Sequence, residues 1–159
     1  MWKHPPSCVC AFAVPPPEEL RRLIQGDYGD STTVFGLRCP CGADRFEVAL
    51  PADGYGTVST KCVQCGSKTT IFDAAKHGYD GAVGNNRGAE FGPHLPFQCP
   101  KCKSSPFRLA AGFQYAGETD ILEEYDLDIE PEDLFGWFVL CGLCTSCRGP
   151  NLLTEYECA

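Results

Sequence analysis

Residues 138–159 read FVLCGLCTSCRGPNLLTEYECA. Cys141, Cys144 and Cys147 are spaced by three, so the stretch contains two overlapping C-x-x-C motifs. A metal clamp takes one such pair from a tight turn, and the flanking runs FVL and NLLTEY have strand-like composition. The stretch therefore reads strand, turn, strand, with one cysteine too many.

The rest of the chain fixes the register. GLRCPCGADRFEVAL (Gly36–Leu50) resembles PFQCPKCKSSPFRLA (Pro96–Ala110), with one residue fewer between Cys39 and Cys41 than between Cys99 and Cys102. Phe46 follows Cys41 by five residues, as Phe107 follows Cys102. Further on, KCVQCGSKTTI aligns with LCTSCRGPNLL, which sets Cys62 on Cys144, Cys65 on Cys147 and Ile71 on Leu153. Cys141 then falls in the preceding strand, opposite Ser59, as a small packing residue. The chain is an internal duplication, each unit one small supersecondary motif with two cysteine knuckles.

The totals agree with a small metal protein. The chain has 159 residues, 12 of them cysteine, with 17 Gly and 13 Pro, which favours short strands and many turns. Close C-x-C and C-x-x-C pairs suit a metal ion in a reducing cytoplasm better than a disulfide framework. The opening MWKHPPSCVCAFAVPPP lacks the pattern of a signal peptide, and no run of about 18–20 apolar residues is present to span a bilayer. The formal charge is −8; two Zn(Cys)4 sites would take it to about −12. Such a polyanion repels nucleic-acid phosphates.

The paired knuckles resemble the zinc-ribbon group within the rubredoxin-like class, over residues 34–76 and 95–159. The resemblance implies antiparallel hairpins whose C-P-x-C and C-x-x-C-G turns close a tetrahedral S4 site. Cys39, Cys41, Cys62 and Cys65 are expected at one site, and Cys99, Cys102, Cys144 and Cys147 at the other. All-cysteine sites leave no open position for water, so two structural Zn2+ ions are expected, with Fe the alternative for the same S4 geometry. The first knuckle departs from the pattern in being C-x-C. The second half departs in placing Lys103 and Arg148 where Gly42 and Gly66 stand in the first. Of the remaining cysteines, Cys8 and Cys10 are expected on one face of a strand with Phe12 and Val14, ahead of a third metal site with His4. The role of Cys158 is open.

The halves differ most between their knuckles. Phe107, Leu109, Ala111, Phe113 and Tyr115 alternate, as do Tyr125, Leu127 and Ile129, so residues 110–136 are expected to form an acidic β-hairpin insertion. Residues 95–159 carry four basic and eleven acidic residues, whereas 34–76 carry five basic and four acidic. Glu118, Asp120, Glu123, Glu124, Asp126, Asp128 and Glu130 form the candidate interaction face; a solvated face is the plain alternative. DLDIEPED lacks the glycine and terminal glutamate of an EF-hand loop.

The organisation expected is an N-terminal strand and short helix in residues 1–33, a first ribbon in 34–76, a Gly-rich linker in 77–94 and a second ribbon in 95–159. PPPEELRRLIQG reads as the helix, begun by Pro17 and ended by Gly26, with Leu20, Leu23 and Ile24 facing a ribbon. Asp73, His77, Tyr79 and Asp80 are the only cluster suited to acid–base work, and a turn is the simpler reading of HGYDG. The chain is thus expected to be small, mainly β and non-enzymatic, acting on a protein partner with a basic surface. An immunity or antitoxin-like role is one version. A nucleic-acid-binding ribbon (Arg38, Arg45, Lys61, Lys68) and a rubredoxin-like iron electron carrier are the alternatives. No membrane role is expected.

Overall fold

The second knuckle of each repeat, Cys62 with Cys65 and Cys144 with Cys147, sits at the turn of an antiparallel hairpin. The computed structural model describes residues 5–52, 57–73, 94–115 and 135–158. The described residues form one helix, α1 (Glu18–Tyr28), and nine strands: β1 (Ala13–Val14), β2 (Thr33–Leu37), β3 (Phe46–Pro51), β4 (Thr57–Cys62), β5 (Lys68–Asp73), β6 (His94–Pro96), β7 (Phe107–Gln114), β8 (Trp137–Cys144) and β9 (Pro150–Glu157). Every pairing is antiparallel. The fold class is therefore as expected: mainly β, one short helix, and two four-cysteine groups consistent with tandem zinc ribbons. Among the described residues no helix is long and apolar enough to cross a membrane.

The duplication is reproduced pair by pair. In β4–β5, Ser59, Thr60 and Lys61 face Thr70, Thr69 and Lys68; in β8–β9, Cys141, Gly142 and Leu143 face Leu152, Asn151 and Pro150. Even the register shift recurs, at Val58/Ser59 and at Leu140/Cys141. β3 meets β4 through Phe46–Cys62 and Val48–Thr60, as β7 meets β8 through Phe107–Cys144 and Leu109–Gly142.

The strands that lead into the knuckles are exchanged. β2 runs toward Cys39 but pairs with β7 of the other repeat, Gly36 opposite Ala110 and Phe35 opposite Ala111. β6 runs toward Cys99 but pairs with β3, Pro96 opposite Ala49 and Leu95 opposite Leu50. Gly36 and Pro96 stand three residues before Cys39 and Cys99, so the two exchanges are equivalent. Between them, Phe46 pairs with Phe107, its own counterpart. Self-pairing of equivalent residues is what a two-fold relation requires, and the repeats meet as a dimer does, within one chain.

The sheet curls so that its two ends touch. Phe72 on β5 stacks on Phe138 of β8 at 4.7 Å and on Tyr156 of β9 at 4.6 Å between ring centroids. One core holds Phe46, Val48, Val58 and Ile71 of the first repeat together with Phe107, Leu109, Phe113 and Leu140 of the second. Small cores of this kind gain about 1.5–3 kcal/mol from each large apolar side chain fully buried.

The other face of β7–β8 is also covered. Leu20 and Ile24 of α1 pack on Ala110, Val139, Cys141 and Leu143. Gly112 makes the seat possible: a Cβ there would lie 2.8 Å from both Ile24 Cγ2 and Val139 Cγ1. The helix starts after Pro17, with Glu18 and Glu19 in its first turn, where carboxylates favour the dipole. It runs through Gly26, whose missing side chain faces open space, and ends at Gly29. Gly29 has φ 96° and its N–H donates to the Gln25 carbonyl. The helix is thus longer than the Gly26 stop implied, because a glycine within a helix costs only about 1 kcal/mol against alanine.

The N-terminal stretch also differs from expectation. Residues 7–12 turn rather than extend, with Val9 N–H donating to the Pro6 carbonyl and Phe12 N–H to the Val9 carbonyl. Only Ala13–Val14 join the sheet, and Val9 rather than Cys8 or Cys10 is fully buried. Of the insertion expected over 110–136, β7 pairs with β8 on one edge and with β2 on the other; residues 116–134 lie outside the described residues, as does HGYDG at 77–81.

Candidate metal centres

The knuckles are backbone devices first. In each repeat the second knuckle closes with Gly66 N–H to the Cys62 carbonyl or Arg148 N–H to the Cys144 carbonyl, both 2.9 Å. Cys62 N–H then donates to the Ser67 carbonyl and Cys144 N–H to the Gly149 carbonyl, both 3.0 Å. The first knuckles show how one residue can be lost. Lys103 N–H reaches back four residues to the Cys99 carbonyl, and Gly42 N–H reaches back three to the Cys39 carbonyl, both at 2.8 Å. A tighter turn thus replaces a wider one and still delivers two sulfurs.

All four closures need a left-handed residue. Gly42 (φ 98°) and Gly66 (φ 76°) supply it in the first repeat, Lys103 (φ 64°) and Arg148 (φ 62°) in the second. The two missing glycines noted in the sequence are thus substitutions at unchanged backbone positions, each paying the cost of a side chain in that region.

The structure brings Cys39, Cys41, Cys62 and Cys65 into one group and Cys99, Cys102, Cys144 and Cys147 into another, with the sulfurs of each group within 4.8 Å of one another. Within the two groups Cys39–Cys65 and Cys41–Cys62 stand at 3.6 Å, Cys99–Cys147 at 3.6 Å and Cys102–Cys144 at 3.3 Å. A disulfide would place sulfurs at about 2.05 Å. Four sulfurs each about 2.3 Å from a central ion stand about 3.8 Å apart in a regular tetrahedron. The edges fit an ion between the sulfurs, and each group can hold one. In each, two cysteines are buried and two exposed, so the site is rooted in the core and capped by the turn.

The surroundings divide the ligand thiols: against a lowering amide at Cys41, burial and hydrogen bonds shared with Cys41, Cys65 and Cys62 push Cys39 up to about 12, and against the Gly149 amide a hydrogen bond shared with Cys99 pushes Cys147 up to about 11, while four others are drawn toward thiolate. Ser67 Oγ lies 3.3 Å from Cys65 Sγ, and that hydroxyl with the Ser67 amide lowers the Cys65 thiol to about 6. The Ser104 amide and hydroxyl do the same for Cys102, also to about 6. Amides at Cys65 and Gln64 lower Cys62, and those at Cys102 and Lys101 lower Cys99. These serines were not singled out in the sequence; their signal was only a serine two residues after a cysteine.

The other cysteines stand apart. Cys141 is buried under α1, and burial pushes its thiol up to about 12. Cys158 is likewise raised to about 12 by burial. Cys10 is exposed and Cys8 half-buried. Among the described residues no third group of potential ligands gathers; His4 lies outside them. The candidate acidic face, Glu118 to Glu130, also lies outside them.

Fold and sites together define a class: a small antiparallel β protein with two four-cysteine groups, each able to hold a metal ion. The chain matches no family model, no curated protein and no solved structure.

Proposed function

We propose that this is a non-enzymatic zinc protein, held together by two structural Zn2+ ions, that works by binding another protein in a reducing compartment. The observation that carries the reading is the pair of closed S4 groups. Four thiolates fill a tetrahedral ion and leave no position for water or substrate, so the metal supports shape rather than chemistry. When bound, zinc supplies a four-way cross-link, for which small zinc fingers gain about 10–16 kcal/mol. The cysteines position it through the knuckle amides, and Ser67 and Ser104 hold Cys65 and Cys102 toward the thiolate form.

The docking element proposed is the run from Glu118 to Glu130, seven carboxylates in thirteen residues with no basic residue among them. Its partner would present a basic surface, since opposite potentials speed encounter and set specificity. An immunity-like cover over a basic active site is one form. A pull-down with the Asp126→Lys, Asp128→Lys, Glu130→Lys chain tests the reading: partners should be lost while both metals are retained. An unchanged set of partners would retire the acidic face.

A second reading has one observation in its favour. Arg45, Arg108 and Arg148 line one cleft at the seam of the repeats together with Glu19, and among the described residues only Arg108 of the three is in an ion pair, with Asp44 at 3.3 Å. Oligonucleotide binding at physiological salt would favour a nucleic-acid role there.

A further inference from the structure

The two metal centres are built on one plan, but their knuckles are joined differently. In both, an amide of the second knuckle donates to the carbonyl of the residue just before β3 or β7: Val63 N–H to Arg45 and Thr145 N–H to Pro106, each at 3.2 Å. The second centre adds two side-chain bonds. Thr145 Oγ1 donates to the same Pro106 carbonyl at 3.1 Å, and Ser104 Oγ donates to Ser146 Oγ at 2.8 Å. Each bond runs from one knuckle to the other. The turn carrying Cys99 and Cys102 is therefore tied to the turn carrying Cys144 and Cys147 by more than the ion.

The first centre can form neither bond. Val63 follows Cys62 where Thr145 follows Cys144, and Ala43 stands after Cys41 where Ser104 stands after Cys102. Valine and alanine have no hydroxyl, and Gln64 replaces Ser146. The first centre's turns also close on Gly42 and Gly66, whereas the second centre's close on Lys103 and Arg148. Glycine relieves the strain of the closed turn, but it regains more freedom than any other residue when the turn opens. A site whose ligands are already held in place loses less freedom on binding. Both differences leave the first centre the more dependent on its ion for closure.

We infer that the first centre is an exchangeable metal site and the second a permanent one. The inference rests on the proposed reading that each group holds zinc. As free zinc falls, Cys39, Cys41, Cys62 and Cys65 give up their ion first, and their two knuckles separate. Cys99, Cys102, Cys144 and Cys147 keep theirs, because Ser104 with Ser146 and Thr145 with Pro106 hold the turns together. The first repeat thus takes up and releases a thiolate-binding divalent cation over a range of supply in which the second stays loaded. β2 leads into Cys39 and pairs with β7, so opening of the first centre reaches the seam between the repeats.

The test titrates the zinc-loaded full chain with a polyaminocarboxylate chelator. Native mass spectrometry counts the ions at each point. Brief iodoacetamide treatment and peptide mapping then show which cysteines are uncovered, with exposed Cys10 as the reference for full reactivity. Two release steps are expected, about fivefold or more apart in chelator concentration. At the one-ion stage Cys41 and Cys65 should be alkylated, and Cys102 and Cys147 protected. Thr145→Val with Ser146→Ala removes both added bonds from the second centre and should bring the steps together. Ala43→Ser with Val63→Thr and Gln64→Ser should move the first step toward the second. A parent chain with fewer than two ions would remove the reading on which the inference rests. Both ions lost at one chelator concentration, Cys102 and Cys147 alkylated first, or a gap unchanged in either set of variants would overturn the inference and leave that reading intact.

Discussion

Lys103 and Arg148 hold, at φ 64° and 62°, the backbone turns that Gly42 and Gly66 hold in the first repeat. A non-glycine residue there costs about 1–2 kcal/mol, part of which glycine returns through its freer unfolded chain. Lys103→Gly and Arg148→Gly should each stabilise the protein by up to about 1 kcal/mol, and Gly66→Ala should destabilise it by about as much; denaturant unfolding of the zinc-loaded chain measures both. A second residue-scale prediction concerns pH. Cys65 and Cys102 have thiols lowered from 9.0 to about 6. A depressed value favours the charged form, so their contribution to stability is full above about 9 and disappears as pH falls through about 6. Ser67→Ala and Ser104→Ala should therefore release metal at a higher pH than the parent chain, as a colorimetric chelator titration would show. The ligand set was legible because C-x-C and C-x-x-C spacing restricts which sulfurs one turn can aim. The serines were not, because their effect depends on a hydroxyl's distance from a sulfur rather than on spacing.

The helix α1 is the element that closes the second repeat. Leu20 and Ile24 are fully buried, and Ile24 lies over Gly112. Ile24→Ala should cost about 2–4 kcal/mol of unfolding free energy and leave the metal count at its parent value, measured by denaturation and by metal analysis of the same sample. Loss of metal would mean that the helix helps hold the knuckles. The existence of this helix was legible from its apolar stripe; its end was not, since Gly26 and Gly29 offer the same sequence signal and only Gly29 takes a positive φ. The alternation of Cys8, Cys10, Phe12 and Val14 suggested a strand, but the prolines at 5 and 6 set a turn in which the Pro6 and Val9 carbonyls find local donors. β7 was expected to pair with an acidic strand of the insertion; in the structure both its edges are taken over Ala110–Phe113.

At the scale of the whole molecule, the duplication was legible and its geometry was not. Aligned cysteines identify two repeats, but no residue type records that β2 serves β7 and β6 serves β3. Because Cys39 and Cys99 each follow a strand bound to the opposite repeat, each metal site is tied to the fold of the other. The core reinforces this through Phe72, Phe138 and Tyr156. Removing one metal should therefore loosen the second. The most direct measurement is native mass spectrometry of the purified chain alongside its Cys141→Ser and Cys147→Ser variants. The parent and Cys141→Ser should each carry two zinc ions. Cys147→Ser should carry at most one, released at lower chelator concentration than in the parent. A parent chain with fewer than two ions, with iron in their place, or with its cysteines oxidised to disulfides would contradict the account, as would a Cys141→Ser chain that loses metal while Cys147→Ser keeps both.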